Sequence, residues 1–418
     1  MNVHTRMGRT RTDAHPRRLD GWRRSAIACL IIASTTFFGC GRPDAESDLG
    51  STDETSGSRE ASAARPGSEP LFGGELADGV VADEQPASIP LDPAGPKPRA
   101  GSGPIRGRVQ LISGIEVVRV VIPADSTIPC IFWSSDGTRF FTVGRTGVVR
   151  KIRLEGLLEE SLFDAGMPAA WLAPSAKGLV LTPLTRDEVW ILDESTLELR
   201  ARFPIPPKQR VVSSRGSRYG FVIDPRADRS TIVDLESGKW MRSYERDSFG
   251  KLIASFANAT LAPDGRWLYT RGIVDQLLRF RVEGDRIGFS AASPRISKEP
   301  RQIAVSETGA RVALVSLGGN HGFPADHTAV FRSTDLDKAE VVIATGSGSQ
   351  AIGFDDVSGK IYAQNEDQTL IVFSASGGRE RSLDLATRGG ETRQLAVHPR
   401  GGKVLVLGAG RLDLVTLP

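Results

Sequence analysis

Three polar side chains in one short segment are the part of this sequence best suited to holding a metal ion. The segment 318–327 reads Gly-Gly-Asn-His-Gly-Phe-Pro-Ala-Asp-His and contains two of the five histidines. Imidazole and carboxylate groups suit divalent transition metals, so His321, Asp326 and His327 form a candidate site for a metal or a sensed ligand. We favour the other interpretation, a polar hairpin insertion with no metal, because two histidines six residues apart do not define a coordination geometry.

The motifs that most often carry catalysis or a cofactor are missing from the sequence. Neither a Gly-x-Ser-x-Gly nucleophile elbow nor a Cys-x-x-Cys-His haem motif occurs. Cys130 lies among the apolar neighbours of the segment 128–132, which predicts a buried thiol that packs as a small hydrophobic group. The segment 341–351 imitates a strand entering a dinucleotide-binding loop, but that motif needs a helix next, and another strand and turn follow. We therefore expect no cofactor, and a non-catalytic protein rather than an enzyme.

The first 39 residues have the composition of an export signal. Seven arginines within residues 1–24 precede an uncharged, largely apolar stretch over residues 25–39. That stretch is shorter than the roughly 20 residues that a membrane span needs. The ending Phe-Phe-Gly-Cys at 37–40 resembles the lipobox of bacterial lipoproteins. The resemblance implies that Cys40 is lipidated and anchors an exported protein to a membrane, facing the periplasm or the cell exterior. A plain cleaved signal and an uncleaved apolar anchor are the alternatives.

The net charge of the chain gives no indication of nucleic-acid binding. The formal value is +3 for the whole chain, but residues 1–24 alone contribute +5, so the chain from Cys40 onward carries −2. Its arginines alternate with acids and form no run with interleaved aromatic residues. We expect no nucleic-acid partner.

Residues 40–107 are predicted to be a disordered acidic tether. They are rich in Ser, Gly, Pro, Ala and acids and lack a sustained apolar period, so they bury too little surface to offset the entropy of ordering. Two short apolar islands, at 71–72 and 87–91, are either plain spacer or segments that dock on a partner.

The rest of the chain repeats one kind of turn. Seven polar turns end in a glycine, and successive glycines lie 38 to 50 residues apart. Alternating apolar strands follow each turn, and a period in this range with about four strands per repeat is typical of a β-propeller. The seven glycines are Gly137, Gly178, Gly216, Gly265, Gly309, Gly359 and Gly401.

These repeats resemble WD40-like and YVTN-type β-propeller repeats, whose usual turn reads Ser-Pro-Asp-Gly; the nearest copy is Ala-Pro-Asp-Gly at 262–265. The resemblance implies an all-β, seven-bladed propeller over residues 108–418. The Gly-His and Trp-Asp pairs of strict WD40 repeats are absent from the sequence. The resemblance is therefore to the broader WD40-like group rather than to the strict WD40 family. The last repeat ends one strand short, after 411–415, and the spare strand at 116–121 is predicted to complete it and close the ring.

Because propellers host many unrelated tasks, the fold alone does not assign a function. We expect a lipid-tethered, non-catalytic binding or scaffold module of the bacterial cell envelope, which contacts envelope proteins through its propeller loop faces. One alternative is a lactonase-like hydrolase, which the YVTN resemblance implies. The other is a periplasmic ligand or metal sensor that uses the loop 318–327.

Overall fold

The structure is a computed structural model that describes residues 80–81, 89–91, 95–122, 130–206, 209–224, 228–245, 248–249, 254–272, 276–319, 326–346, 348–367, 369–385, 393–408 and 411–418. These residues form seven antiparallel sheets, and the only helix among them is a single 3-10 turn, Glu155–Leu157. The inner strands of successive sheets contact one another, and the inner strand of the last contacts that of the first. The chain is therefore the all-β, seven-bladed propeller that the repeats predicted.

Four strands precede the repeats: β1 (Val80–Val81), β2 (Arg99–Pro104), β3 (Gly107–Ile112) and β4 (Ile115–Val120). Blade 1 contains, from the axis outward, β5 (Cys130–Trp133), β6 (Arg139–Val143), β7 (Val148–Arg153) and β8 (Leu158–Asp164), with β2 outermost. Blade 2 contains β9 (Ala169–Ser175), β10 (Gly178–Pro183), β11 (Glu188–Leu192) and β12 (Leu199–Pro204). Blade 3 contains β13 (Arg210–Val212), β14 (Tyr219–Asp224), β15 (Arg229–Asp234) and β16 (Trp240–Tyr244), with β1 outermost.

Blade 4 contains β17 (Ala254–Leu261), β18 (Trp267–Gly272), β19 (Leu277–Glu283) and β20 (Arg286–Ala292). Blade 5 contains β21 (Ser297–Val305), β22 (Arg311–Gly319), β23 (His327–Arg332) and β24 (Asp335–Ala344). Blade 6 contains β25 (Ser349–Phe354), β26 (Ile361–Asn365), β27 (Thr369–Phe373) and β28 (Arg379–Asp384). Blade 7 contains β29 (Arg393–Val397), β30 (Lys403–Gly408) and β31 (Arg411–Thr416), followed by β4 and β3.

The closure of blade 7 by an N-terminal strand is confirmed. Strand β4 pairs antiparallel with β31, placing Val118 opposite Leu414, and β3 adds a fifth strand beyond β4. Strands from before blade 1 and from the last repeat thus share one sheet. The ring therefore cannot open without breaking the β4–β31 ladder.

Apolar clusters fill all seven spaces between neighbouring blades. Middle strands are buried on both faces, as in β26, where all five residues are buried. That explains why these strands read as nearly continuous apolar runs rather than strict alternation. The segment 341–351 that imitates a nucleotide loop lies at one such boundary, where β24 ends and β25 begins, as the sequence predicted.

The structure differs from the tether expectation between residues 80 and 107. The described residues 80–81, 89–91 and 95–106, which we call the N-terminal strap, lie along the outer rim. Strand β1 pairs with β16 of blade 3, the Ile89 backbone N–H donates to Arg202 O of blade 2 at 3.1 Å, and β2 pairs with β8 of blade 1. Backbone hydrogen bonds to free strand edges order this segment, and such bonds need no apolar pattern.

Candidate functional site

The residues that sequence analysis selected are only partly described. Cys40 and His321 lie outside the described residues. Asp326 is exposed, and its carbonyl oxygen accepts the Gly346 backbone N–H at 3.0 Å. His327 begins β23, and its buried Nδ1 has no hydrogen-bond partner among the described residues. Among all the residues that the structure describes, no three His, Cys, Asp or Glu side chains converge to hold a metal ion. The same residues contain no helix that is long and apolar enough to cross a membrane.

Cys130 is a core residue, as its apolar neighbours predicted. The side chain is 1% exposed, and its Sγ donates to Leu172 O at 3.2 Å. Burial raises the pKa of the thiol to about 11, so the reactive thiolate is scarce at neutral pH. Cys130 therefore packs between blades 1 and 2 and supplies no nucleophile.

The turns that join the first and second strands of each blade form one face of the propeller, and several are bonded to the next blade. Gly216 N–H donates to Pro263 O at 2.8 Å, which joins blades 3 and 4. Thr308 N–H donates to Asp356 Oδ2 at 2.7 Å, which joins blades 5 and 6. These bonds stiffen the turn face around the axis, because the turns that make them are held by a neighbouring blade as well as by their own.

At the axis of this face, Arg215 reaches out of its own blade. It lies in the turn of blade 3, donates to Trp133 O of blade 1, and pairs with Glu194 of blade 2 at 2.9 Å. Its guanidinium carbon also lies 5.9 Å from the ring centroid of Phe132. A side chain that contacts two other blades must cross the inner edge of the sheets, so Arg215 lies at the mouth of the central channel.

A carboxylate shares this mouth. Glu307, in the turn of blade 5, is exposed to solvent on the same face and interacts electrostatically with Arg215. Removal from bulk water raises the pKa of Glu307, and the nearby Asp356 raises it further, although Arg215 acts in the opposite direction. The mouth therefore combines an arginine already neutralised by Glu194 with a carboxyl group whose ionisation is disfavoured.

A second arginine lies on the inner strand of the same blade. Arg210 is the first residue of β13, and its guanidinium carbon is 5.3 Å from the ring centroid of Trp171 in blade 2. One Nη donates to Ala257 O of blade 4 at 2.5 Å. Contacts on both neighbouring inner strands place Arg210 along the channel as well.

Sequence reasoning did not select Arg210, Arg215 or Glu307. The sequence pattern that could have identified them is weak: each is a charged residue at the start of an inner strand or in the turn that follows one. In a propeller those positions face the axis.

The strap also meets the propeller through a buried charge. Glu159 in β8 pairs with Arg150 at 2.7 Å, and both side chains are almost fully buried. The other carboxylate oxygen of Glu159 accepts the Ser102 backbone N–H of the strap at 2.8 Å. Strap and blade 1 are thus joined by a buried carboxylate that binds the buried Arg150 and a backbone N–H of the strap.

Comparison with known proteins finds likeness in structure alone. No protein-family model and no curated protein matches the chain. It is similar to the β-propeller domain of Myceliophteria thermophila Cps50 (Swd1), at 13% identity and TM-score 0.55, covering 74% of this chain and 100% of that one. It is also similar to U3-55K, at 8% identity and TM-score 0.55, covering 72% and 98%. Kluyveromyces lactis Hsv2 matches at 11% identity and TM-score 0.51, covering 68% and 90%. At these identities the likeness shows the fold alone.

Proposed function

We propose that this chain is a lipid-tethered, non-catalytic propeller that binds protein partners in the bacterial cell envelope. The observation that carries the proposal is the strap. Its first described strand, β1, pairs at the outer edge of blade 3, so an anchor upstream of Val80 would hold the propeller by its rim. Both flat faces, on which partner-binding loops lie, would then remain free.

A closed ring suits such a role because it presents loops on a rigid frame. The turn face is held by bonds between blades, and on the opposite face the exposed Leu184 lies in the connection between β10 and β11. The resemblance of residues 37–40 to a lipobox supplies the anchor, with Cys40 as the lipidated residue. Stable membrane binding takes two or more acyl chains, which lipidation of that type provides.

The first test is the intact mass and membrane fractionation of the native protein beside Cys40→Ala. We expect the native chain to begin at an acylated Cys40 and to sediment with membranes, whereas C40A stays unprocessed or becomes soluble. A native chain that keeps its N-terminus, or is cut elsewhere without lipid, would contradict the tether.

The second test maps the partner surface with a photo-crosslinking amino acid in living cells. Placed at Leu184, on the face opposite the turn face, or at Val357, in the blade 6 turn, it should yield adducts with an envelope protein; these residues are 49% and 69% exposed. Val109 on β3, 62% exposed at the rim, is the matched control and should yield none. Adducts from the rim alone would contradict binding through the faces.

The enzyme and sensor alternatives have tests of their own. Lactone hydrolysis by the purified native protein, lost in Glu307→Gln, would favour a hydrolase that works in the channel. Saturable Zn²⁺ binding by the native protein, lost in His327→Ala, would favour a sensor at the loop 318–327.

A further inference from the structure

The guanidinium group of Arg210 is held in place by neighbours that carry no charge. Its two described contacts are the aromatic face of Trp171 and the carbonyl oxygen of Ala257. An arginine has five N–H donors in a rigid planar fork, and this side chain is only partly buried. Its other N–H donors have no protein partner among the described residues and are available to solvent or to a ligand.

The carbonyl that orients Arg210 comes from an irregular part of blade 4. Strand β17 pairs regularly with β18 at Ser255 and again at Thr260, but the register shifts between these two residues. The extra residues form a bulge, which takes Ala257 out of the ladder. Bulges of this kind re-aim backbone groups and are common beside functional sites. Here the bulge supplies a neutral acceptor that fixes the arginine without cancelling its charge.

The charge of Arg210 lacks a counter-charge in the described part of the chain. No carboxylate lies within ion-pair distance of it there, whereas Arg215, in the turn that follows β13, is paired with Glu194. The carboxylate of Asp224 on the adjacent strand accepts a hydrogen bond from Gln209 Nε2 at 3.2 Å instead. The nearby Cys130 thiol stays protonated, because burial raises its pKa to about 11. A guanidinium keeps its charge at neutral pH even when partly desolvated.

We infer that Arg210 and Trp171 form an oxyanion-binding site in the central channel, which takes the carboxylate or phosphate group of a small molecule. The planar fork matches two oxygens of either group and binds them in a bidentate manner. The guanidinium lies over the Trp171 ring, with Cζ 5.3 Å from its centroid, and this cation–π contact restricts the arginine before a ligand binds, which reduces the entropy that the side chain loses on binding. This site is independent of the tether and of any protein partner.

The test is a titration of the native protein with sodium phosphate and, separately, with sodium succinate, at constant ionic strength set by sodium chloride. Binding is followed by ³¹P line-broadening for phosphate and by isothermal calorimetry for both anions. We expect saturable binding of at least one anion, weakened at least tenfold in Arg210→Gln. Arg210→Lys should bind with intermediate affinity, because an ammonium group keeps the charge but lacks the fork. The anion that binds with the higher affinity identifies the ligand group as phosphate or carboxylate.

Arg215→Gln is the matched control, because it removes an arginine from the same channel that already has a carboxylate partner. It should bind the anion as the native protein does. If neither anion binds the native protein saturably, or if R210Q and R215Q weaken binding equally, the site does not exist. Should R210Q fail to fold, Trp171→Phe gives the second readout: anion binding should change tryptophan fluorescence in the native protein but not in W171F, and an unchanged response in W171F would overturn the proposal.

Discussion

The imidazole of His398 in blade 7 lies 3.0 Å from the carbonyl oxygen of Gly137 in blade 1. Its Nδ1 accepts the Arg400 backbone N–H at 3.1 Å, so Nε2 carries the ring proton and donates it to Gly137 O. The ring also packs edge-on against Trp133, with the centroids 4.8 Å apart. This contact joins the first and last blades on the turn face, while the β4–β31 ladder joins the two ends of the chain within blade 7.

Mild acid should weaken this junction. Burial lowers the pKa of His398 from its ordinary value of 6.5. Lys403 and Arg400 lower this pKa further, whereas the hydrogen bond to Gly137 O and the charge of Asp355 act in the opposite direction without reversing the shift. The unfolded chain therefore binds a proton more readily, so the free energy of unfolding should fall as the pH drops below 6.5 and level off below the folded-state pKa. Urea unfolding measured from pH 8 to pH 5 tests this, and His398→Gln should flatten that part of the profile. An unchanged slope in H398Q would contradict it.

Gly137→Ala should destabilise the same junction. Gly137 has a φ of 69°, and a Cβ placed on it would lie 2.4 Å from His398 Nε2. The left-handed backbone alone costs a non-glycine residue roughly 1–2 kcal/mol, and displacement of the imidazole adds to that. Gly156→Ala is the control, because its φ is 71° with nothing within 4 Å of the added Cβ. The excess loss in G137A over G156A, from urea unfolding, measures the His398 contact; equal losses would mean that the contact adds nothing.

A charge in the closing strand should open the ring. Val118 in β4 is 9% exposed and belongs to the cluster between blades 7 and 1, whereas Val109 in β3 is 62% exposed. Val118→Asp buries an unpaired carboxylate and should cost about 3 kcal/mol or more. Val109→Asp should stay within about 0.5 kcal/mol of the native protein. The unfolding midpoints in urea decide between them, and equal midpoints would show that β4 is dispensable for closure.

One glycine should control the docking of the strap. A Cβ on Gly101 would lie 1.9 Å from Glu159 O, so Gly101→Val must push β2 away from β8 and break the bond from Ser102 N–H to Glu159. Hydrogen–deuterium exchange of peptides covering 99–104 and 158–164 should rise at least tenfold in G101V. Arg99→Ala, at an exposed position of the same strand, is the control and should exchange as the native protein does. Faster exchange in both variants would mean that β2 is bound too weakly for Gly101 to matter.

Cys130 should be an unreactive thiol. In a chain with Cys29→Ser and Cys40→Ser it is the remaining cysteine. Its 1% exposure and a pKa of about 11 should slow its reaction with a disulfide reagent at pH 8 about a hundredfold relative to the same chain in urea. Rapid labelling of the folded protein would show that blades 1 and 2 separate readily at this position.

The sequence by itself determined the features that depend on local chemistry. Six of the seven turns end in a glycine with positive φ where the chain reverses, as Gly137 does, and Gly216 is the exception. The apolar runs between turns specify strands buried on both faces. The missing last strand was also visible, because a repeat that ends at Val415 leaves an edge that the segment 116–121 can complete.

Only the tertiary structure decided the strap and the channel. The strap is held by backbone hydrogen bonds to blade edges, and such bonds leave no periodic pattern in side chains, so residues 80–107 read as a disordered tether. Along the chain, Arg210 lies 39 residues after Trp171 and 47 residues before Ala257. They meet because the closed ring brings three inner strands to one axis, and a register shift in β17 then turns one carbonyl toward the arginine.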